Sequence, residues 1–104
     1  VTLPQESEKQ FQAAIVDLAQ QLGWHCFHTF DSRRSASGFP DLFMVRGRRA
    51  IAAELKSDTG RVTEAQDVWL AALAEAGVET FVWRPRDKQT ITGILIGRPA
   101  SVAL

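Results

Sequence analysis

Gly38-Phe39-Pro40-Asp41 and Glu54-Leu55-Lys56 stand at the two ends of a stretch that can fold back on itself in few ways. Phe43-Met44-Val45-Arg46, Gly47-Arg48-Arg49 and Ala50-Ile51-Ala52 read as strand, turn and strand. If Gly47-Arg48 make a two-residue hairpin loop, antiparallel pairing sets Asp41 opposite Glu54. Side chains directly opposed in this way have Cβ atoms about 4.5–5.5 Å apart, and two like charges there destabilise the sheet unless something neutralises them. A divalent cation would do so. Glu54 and Lys56, two apart, face one side of the strand while Leu55 points into the core. Two carboxylates and a backbone carbonyl, that of Leu55, suit Mg²⁺, with Mn²⁺ as its substitute. The plainer alternative is a hairpin carrying a surface ion pair.

Around this hairpin the chain alternates helix and strand. Phe11, Ile15, Leu18 and Leu22 repeat on one face of a predicted helix from Ser7 to Leu22, with Ser7 and Gln10 as a capping box and Gly23 as the stop. The aromatic run Trp24 to Phe30 reads as the first strand. Cys26 within it is expected to pack rather than react, and His25 and His28 to face opposite sides. A polar loop with Arg33, Arg34, Ser35 and Ser37 follows, and its guanidinium and hydroxyl donors suit phosphate contact; a merely solvated loop is the alternative. Beyond Lys56, Thr63 caps a helix to Ala76 with Trp69, Leu70, Leu73 and Ala76 as its buried stripe. Gln66 has two readings, as the partner of Thr63 in a capping box and as a side chain turned toward the hairpin. Lys56 and Arg61 bracket one turn, where either could hold a phosphate. Glu79 to Trp83 is the fourth strand, ended by Arg84-Pro85-Arg86, and Asp87 caps a third helix with Ile91, Ile94 and Leu95 on one side, though a strand stays open there.

At 104 residues the chain is expected to be a single domain, with a core over residues 7–96 and an irregular tail over 97–104. Its formal net charge is zero, but residues 33–61 hold seven bases against three acids, two of them Asp41 and Glu54. A basic middle favours a polyanionic partner. No apolar run suits a membrane span and the first residues do not read as a signal peptide, so a cytoplasmic protein is expected. Ser32, Ser35 and Ser37 lack a nearby base and the chain has no tyrosine, which argues against a covalent nuclease mechanism.

In Gly38-Phe39-Pro40-Asp41, Glu54-Leu55-Lys56, Gly60-Arg61-Val62-Thr63 with Gln66, and Trp83-Arg84-Pro85, the chain resembles the VRR-Nuc family of the PD-(D/E)xK nuclease superfamily, in its stand-alone phage and bacterial type. The resemblance runs from Glu8 to about Leu95. It implies an α/β/α restriction-endonuclease-like fold with a mixed central sheet of about four strands. It also implies a Mg²⁺-dependent endonuclease cutting DNA, branched DNA in particular, in the manner of a Holliday-junction resolvase. A module of the same fold that binds nucleic acid without cutting it is the alternative. On this pattern Asp41, Glu54 and Leu55 hold the metal, Glu8 touches it directly or through water, with charge complementarity at the helix N-terminus as the plainer alternative, Lys56 handles the attacking water, and Gln66 meets the catalytic face. A symmetric homodimer is implied as well, because one acid pair makes one cut and a four-way junction needs two. Trp69, Trp83 and the segment from Ile91 to Leu95 are its candidate contact surface.

Overall fold

A computed structural model describes residues 7–29 and 36–97. The chain runs α1 (Glu8–Gln21), β1 (His25–His28), β2 (Leu42–Arg46), β3 (Arg49–Leu55), α2 (Glu64–Glu75), β4 (Glu79–Trp83), a 3₁₀ turn (Pro85–Asp87) and α3 (Lys88–Ile96). The four strands form one sheet in the order β1-β2-β3-β4, antiparallel at the first two ladders and parallel at the third.

Local chemistry fixes each element. Ser7 and Gln10 close the capping box on α1, with Ser7 Oγ accepting the Gln10 N–H at 3.1 Å and Gln10 Oε1 accepting the Ser7 N–H at 3.0 Å. The turn between β2 and β3 is the expected Gly47-Arg48 pair: Gly47 has φ +60°, while no described residue other than glycine has positive φ. Positive φ at the first central position alone is the type II′ geometry, which matches the twist of the strands it joins. The resulting register pairs Leu42 with Ala53 and Arg46 with Arg49, as the hairpin reading requires.

Strand alternation sorts the two faces. Leu42 and Met44 of β2, Ile51, Ala53 and Leu55 of β3, and Trp83 of β4 form the core with Phe11, Ile15 and Ala19 of α1 and Ile91 and Leu95 of α3. The opposite face carries Phe43, Ala52 and Glu54, and α2 lies on it over β3 and β4. Helices thus cover both faces, and α3 is a helix, settling the alternative in favour of Lys88–Ile96.

Several expectations change. β1 begins at His25, because Trp24 turns into the core and donates its Nε1–H to Leu95 O at 2.9 Å; Phe30 lies outside the described residues. No residue of α2 is fully buried: Trp69, Leu70 and Leu73 are half-buried and Ala76 is exposed, since α2 covers only two strands and has solvent beyond it. Trp83, Ile91 and Leu95 are core residues, at most 2% exposed, and cannot serve as a contact between copies without unfolding.

The basic middle is also partly spent on structure. Arg46 and Arg49 turn inward and flank the Trp24 ring at 4.7 and 5.1 Å. Arg46 donates to the carbonyls of Leu22, Leu95 and Gly97, and Arg49 to those of Ile94 and Gly97, so both satisfy the last carbonyls of α3. Glu79 accepts Arg49 in a two-point pair at 2.8 and 2.7 Å, which completes this end of the sheet.

Candidate active site

The other end of β2 and β3 gathers the predicted side chains. Asp41 comes just before β2, opposite Glu54, and its Oδ2 accepts the backbone N–H of Leu55 at 2.9 Å. Glu54 is only 3% exposed. Its Oε2 accepts the Gln66 Nε2–H at 2.9 Å and has Lys56 Nζ at 3.7 Å, and the Lys56 side chain is itself largely buried. Its Oε1 is buried and has no hydrogen-bond partner among the described residues.

An unpartnered, buried carboxylate oxygen is costly. Burial first, then the charge of Asp41, push the Glu54 carboxyl up to about 8, against a smaller lowering by Lys56. The pair therefore holds a proton where two isolated carboxyls would hold none. A divalent cation held by Asp41 and Glu54 would relieve the same repulsion, and the unpartnered Oε1 makes this oxygen-rich donor set fit such an ion.

That proton carries a stability prediction. The folded chain keeps it to about pH 8, whereas an ordinary glutamate releases it near 4.5, so folding takes up a proton across that window. In EDTA the protein should lose stability as pH rises from about 4.5 to about 8 and level off above. Glu54→Gln cannot ionise and should flatten that part of the curve. Urea midpoints across the range check it; parallel curves would show that Glu54 titrates as an ordinary carboxyl.

Both readings of Gln66 hold at once. Thr63 Oγ1 accepts the Gln66 N–H at 3.2 Å and Gln66 Oε1 accepts the Thr63 N–H at 2.8 Å, which leaves the amide nitrogen to reach Glu54. The capping box thereby fixes the side-chain rotamer that points its donor at the acid pair. Gly38-Phe39-Pro40 anchors the other side. Gly38 has φ +84°, and a Cβ there would stand 2.5 Å from the Ala65 carbonyl group, so the backbone of this turn rests directly on the first turn of α2. Phe39 meets Trp69 of α2 edge-on at 5.0 Å, and Pro40 is fully buried.

Glu8 is exposed and lines a cavity of about 540 Å³ with Lys9, Gln12, His28, Thr29, Asp41 and Leu55. Among the described residues no three His, Cys, Asp or Glu side chains converge closely enough to hold a metal ion. Glu8 lies in the first turn of α1, where its charge also complements the helix N-terminus. Ser37 and Arg61 are exposed, while Arg33, Arg34 and Ser35 lie outside the described residues. Lys9, Gln12, His28 and Thr29 were not expected at the site. The signal for Gln12 was its place one turn after Glu8, and for His28 its facing away from His25 toward α1; Gln12 Nε2 lies 3.4 Å from His28 Nδ1. Cys26 packs against the core, and burial pushes its thiol up, as suits a packing residue.

A mixed four-stranded sheet with helices on both faces is a restriction-endonuclease-like fold, and here an acid pair, a lysine and a glutamine stand at one end of its central strands. The chain belongs to the VRR-NUC domain family, whose model matches residues 2–87. This is a family of nucleases, which generally use divalent metals. Among solved structures the chain is similar to a VRR_NUC domain protein, at 21% identity and a TM-score of 0.67 over 85% of this chain and 84% of that one. It is also similar to Hjc, a Holliday junction resolvase of the archaeal hyperthermophile Archaeoglobus fulgidus, at 20% identity and a TM-score of 0.56 over 74% and 68%. No curated protein matches the chain. No helix among the described residues is long and apolar enough to cross a membrane.

Proposed function

We propose that the protein is a Mg²⁺-dependent endonuclease that hydrolyses phosphodiester bonds of DNA, acting on four-way and other branched junctions as a homodimer. Mn²⁺ is its expected substitute ion and the cytoplasm its expected place of work. The observation that carries this reading is the acid pair of half-buried Asp41, which lines a cavity open to solvent, and buried Glu54, one of whose oxygens is unpartnered among the described residues. A divalent ion held by Asp41, Glu54 and the Leu55 carbonyl would supply positive charge against the scissile phosphate and lower the pKa of water. The Leu55 N–H fixes one oxygen of Asp41, which orients the other. Gln66 fixes Glu54 in the same way. Lys56, held beside Glu54, has an ammonium that orients the attacking water and offsets charge on the phosphate. Glu8 orders water across the cavity, and Arg33, Arg34, Ser35, Ser37 and Arg61 grip the DNA backbone.

With Trp83, Ile91 and Leu95 in the core, a contact between copies has to use other apolar surface. Phe27 and Val45, 61% and 39% exposed, stand on the α2 side of β1 and β2 and are the candidates.

A labelled four-way junction incubated with Mg²⁺, Mn²⁺ or EDTA tests the reading. Cleavage is expected with either ion and none with EDTA; binding without cleavage under every condition would make the chain a nucleic-acid-binding module. Mixing wild-type chains with excess Glu54→Ala chains on a plasmid-borne cruciform should accumulate singly nicked product. Full linearisation in the mixture would remove the dimer.

A further inference from the structure

The Trp83-Arg84-Pro85 motif takes no part in the acid pair, yet its middle residue reaches the segment that joins the two halves of the site. Residues 57–62 lead from Lys56 at the end of β3 to Thr63, the N-cap of α2 that orients Gln66. Ser57, Asp58, Thr59 and Arg61 are exposed, and only Val62, at the end next to α2, is a half-buried apolar side chain. Its own bonds are local, from the Gly60 N–H to Ser57 Oγ at 3.0 Å and Ser57 O at 3.3 Å. What ties it to the sheet is a set of bonds from the end of β4. Arg84 Nη1 donates to both Ser57 O and Gly60 O, at 2.6 and 2.7 Å. The Lys56 N–H donates to Trp83 O at 3.0 Å, and Arg86 adds longer bonds to Asp58. The motif's other members hold Arg84 still: Trp83 is buried against Phe81, Pro85 opens the 3₁₀ turn, and Asp87 Oδ2 accepts the Arg84 N–H at 2.9 Å.

We infer that Arg84 is a positioning residue, whose guanidinium bridges the Ser57 and Gly60 carbonyls to set the conformation from which the adjacent Arg61 meets DNA. The inference rests on the proposed function only for Arg61's partner; the loop clamp is a claim about this chain alone. Both N–H groups of Nη1 are spent on the two carbonyls, which holds the guanidinium against the loop; whether its Nε and Nη2 donors also meet phosphate is what the double variant and Arg84→Lys separate.

Two measurements decide it. In hydrogen exchange on the whole chain without DNA, Arg84→Ala should speed exchange of the Gly60 amide by about tenfold, while β3 amides keep wild-type protection. In binding to a fluorescent four-way junction in EDTA, Arg84→Ala should weaken affinity about fivefold, and Arg61→Ala by a similar factor. The double variant should lose little more than either single one, because both changes remove the same contact. Methylguanidinium should restore part of the loss in Arg84→Ala, and Arg84→Lys, with one point charge for two carbonyls, should behave as the alanine variant. Unchanged Gly60 exchange overturns the clamp. Additive losses, or full activity in Arg84→Lys, make Arg84 an independent charge contact and overturn the positioning role. A wild-type chain that binds no DNA fails the functional reading and the Arg61 step with it, while exchange still decides whether Arg84 holds the loop.

Discussion

Asp41→Ala and Glu54→Ala should each slow cleavage about a thousandfold or more, a barrier increase of about 4 kcal/mol, while binding to DNA without metal survives or tightens. On the proposed reading each variant removes one of the two carboxylates that would hold the ion. Asp41→Ala also removes negative charge from a surface that must approach phosphate, and Glu54→Ala removes a carboxyl that is neutral below about pH 8 without metal, which is why affinity in EDTA should not fall for either. Single-turnover cleavage of a junction with excess enzyme reads the chemistry, and fluorescence anisotropy in EDTA reads the binding. Glu54→Ala leaves the Lys56 ammonium and the Gln66 amide without the oxygen they share, so folding has to be checked by urea titration beside the kinetics. Asp41→Asn, which keeps an acceptor for the Leu55 N–H but lacks the charge, separates loss of metal from loss of position. Lys56→Ala should fail at chemistry with metal affinity largely kept. Wild-type turnover in either carboxylate variant would place the chemistry elsewhere in the chain.

Why the acid pair was legible in the sequence and the arginines were not is a matter of range. The pairing of Asp41 with Glu54 follows from a two-residue turn and a period of two, both local, and the observed ladder keeps that register. The capping boxes at Ser7 and Thr63 are equally local. Arg46 and Arg49 belong to the same hairpin, and their charge read as surface; their burial depends on Trp24 and on the end of α3, far off in the chain. Seven bases in residues 33–61 therefore overstate the positive surface, since two of them close the end of the sheet away from the acid pair. Trp83 shows the same limit from the other side. Aromatic residues at a strand end serve a core or an interface alike, and only the packing of α1 and α3 on that face assigns it to the core.

Gly38 illustrates a residue whose type was noticed and whose reason needed the fold. Gly38→Ala should destabilise the protein by about 3 kcal/mol or more, because two effects add there. The left-handed φ of +84° is unfavourable for any side chain, at a cost of about 1–2 kcal/mol. The larger effect is steric. A Cβ would meet the carbonyl carbon and oxygen of Ala65 at 2.5 Å and its Cβ at 2.8 Å, and neither this helix backbone nor the Cβ fixed to it can swing aside as a flexible side chain can. Relief requires α2 to move away from the turn, and that motion stretches the Gln66–Glu54 hydrogen bond and parts Phe39 from Trp69. Activity should consequently drop by about tenfold or more even in the fraction that stays folded. Gly47→Ala supplies the control, since Gly47 also has positive φ, +60°, but nothing lies within 4 Å of a Cβ built there. Its cost should be the conformational part alone, about 1–2 kcal/mol, with cleavage unchanged. Urea unfolding of the two variants side by side isolates the contact with α2. A Gly38→Ala protein no less stable than Gly47→Ala, cutting at the wild-type rate, would mean that the Gly38 turn does not set the position of α2 against the acid pair.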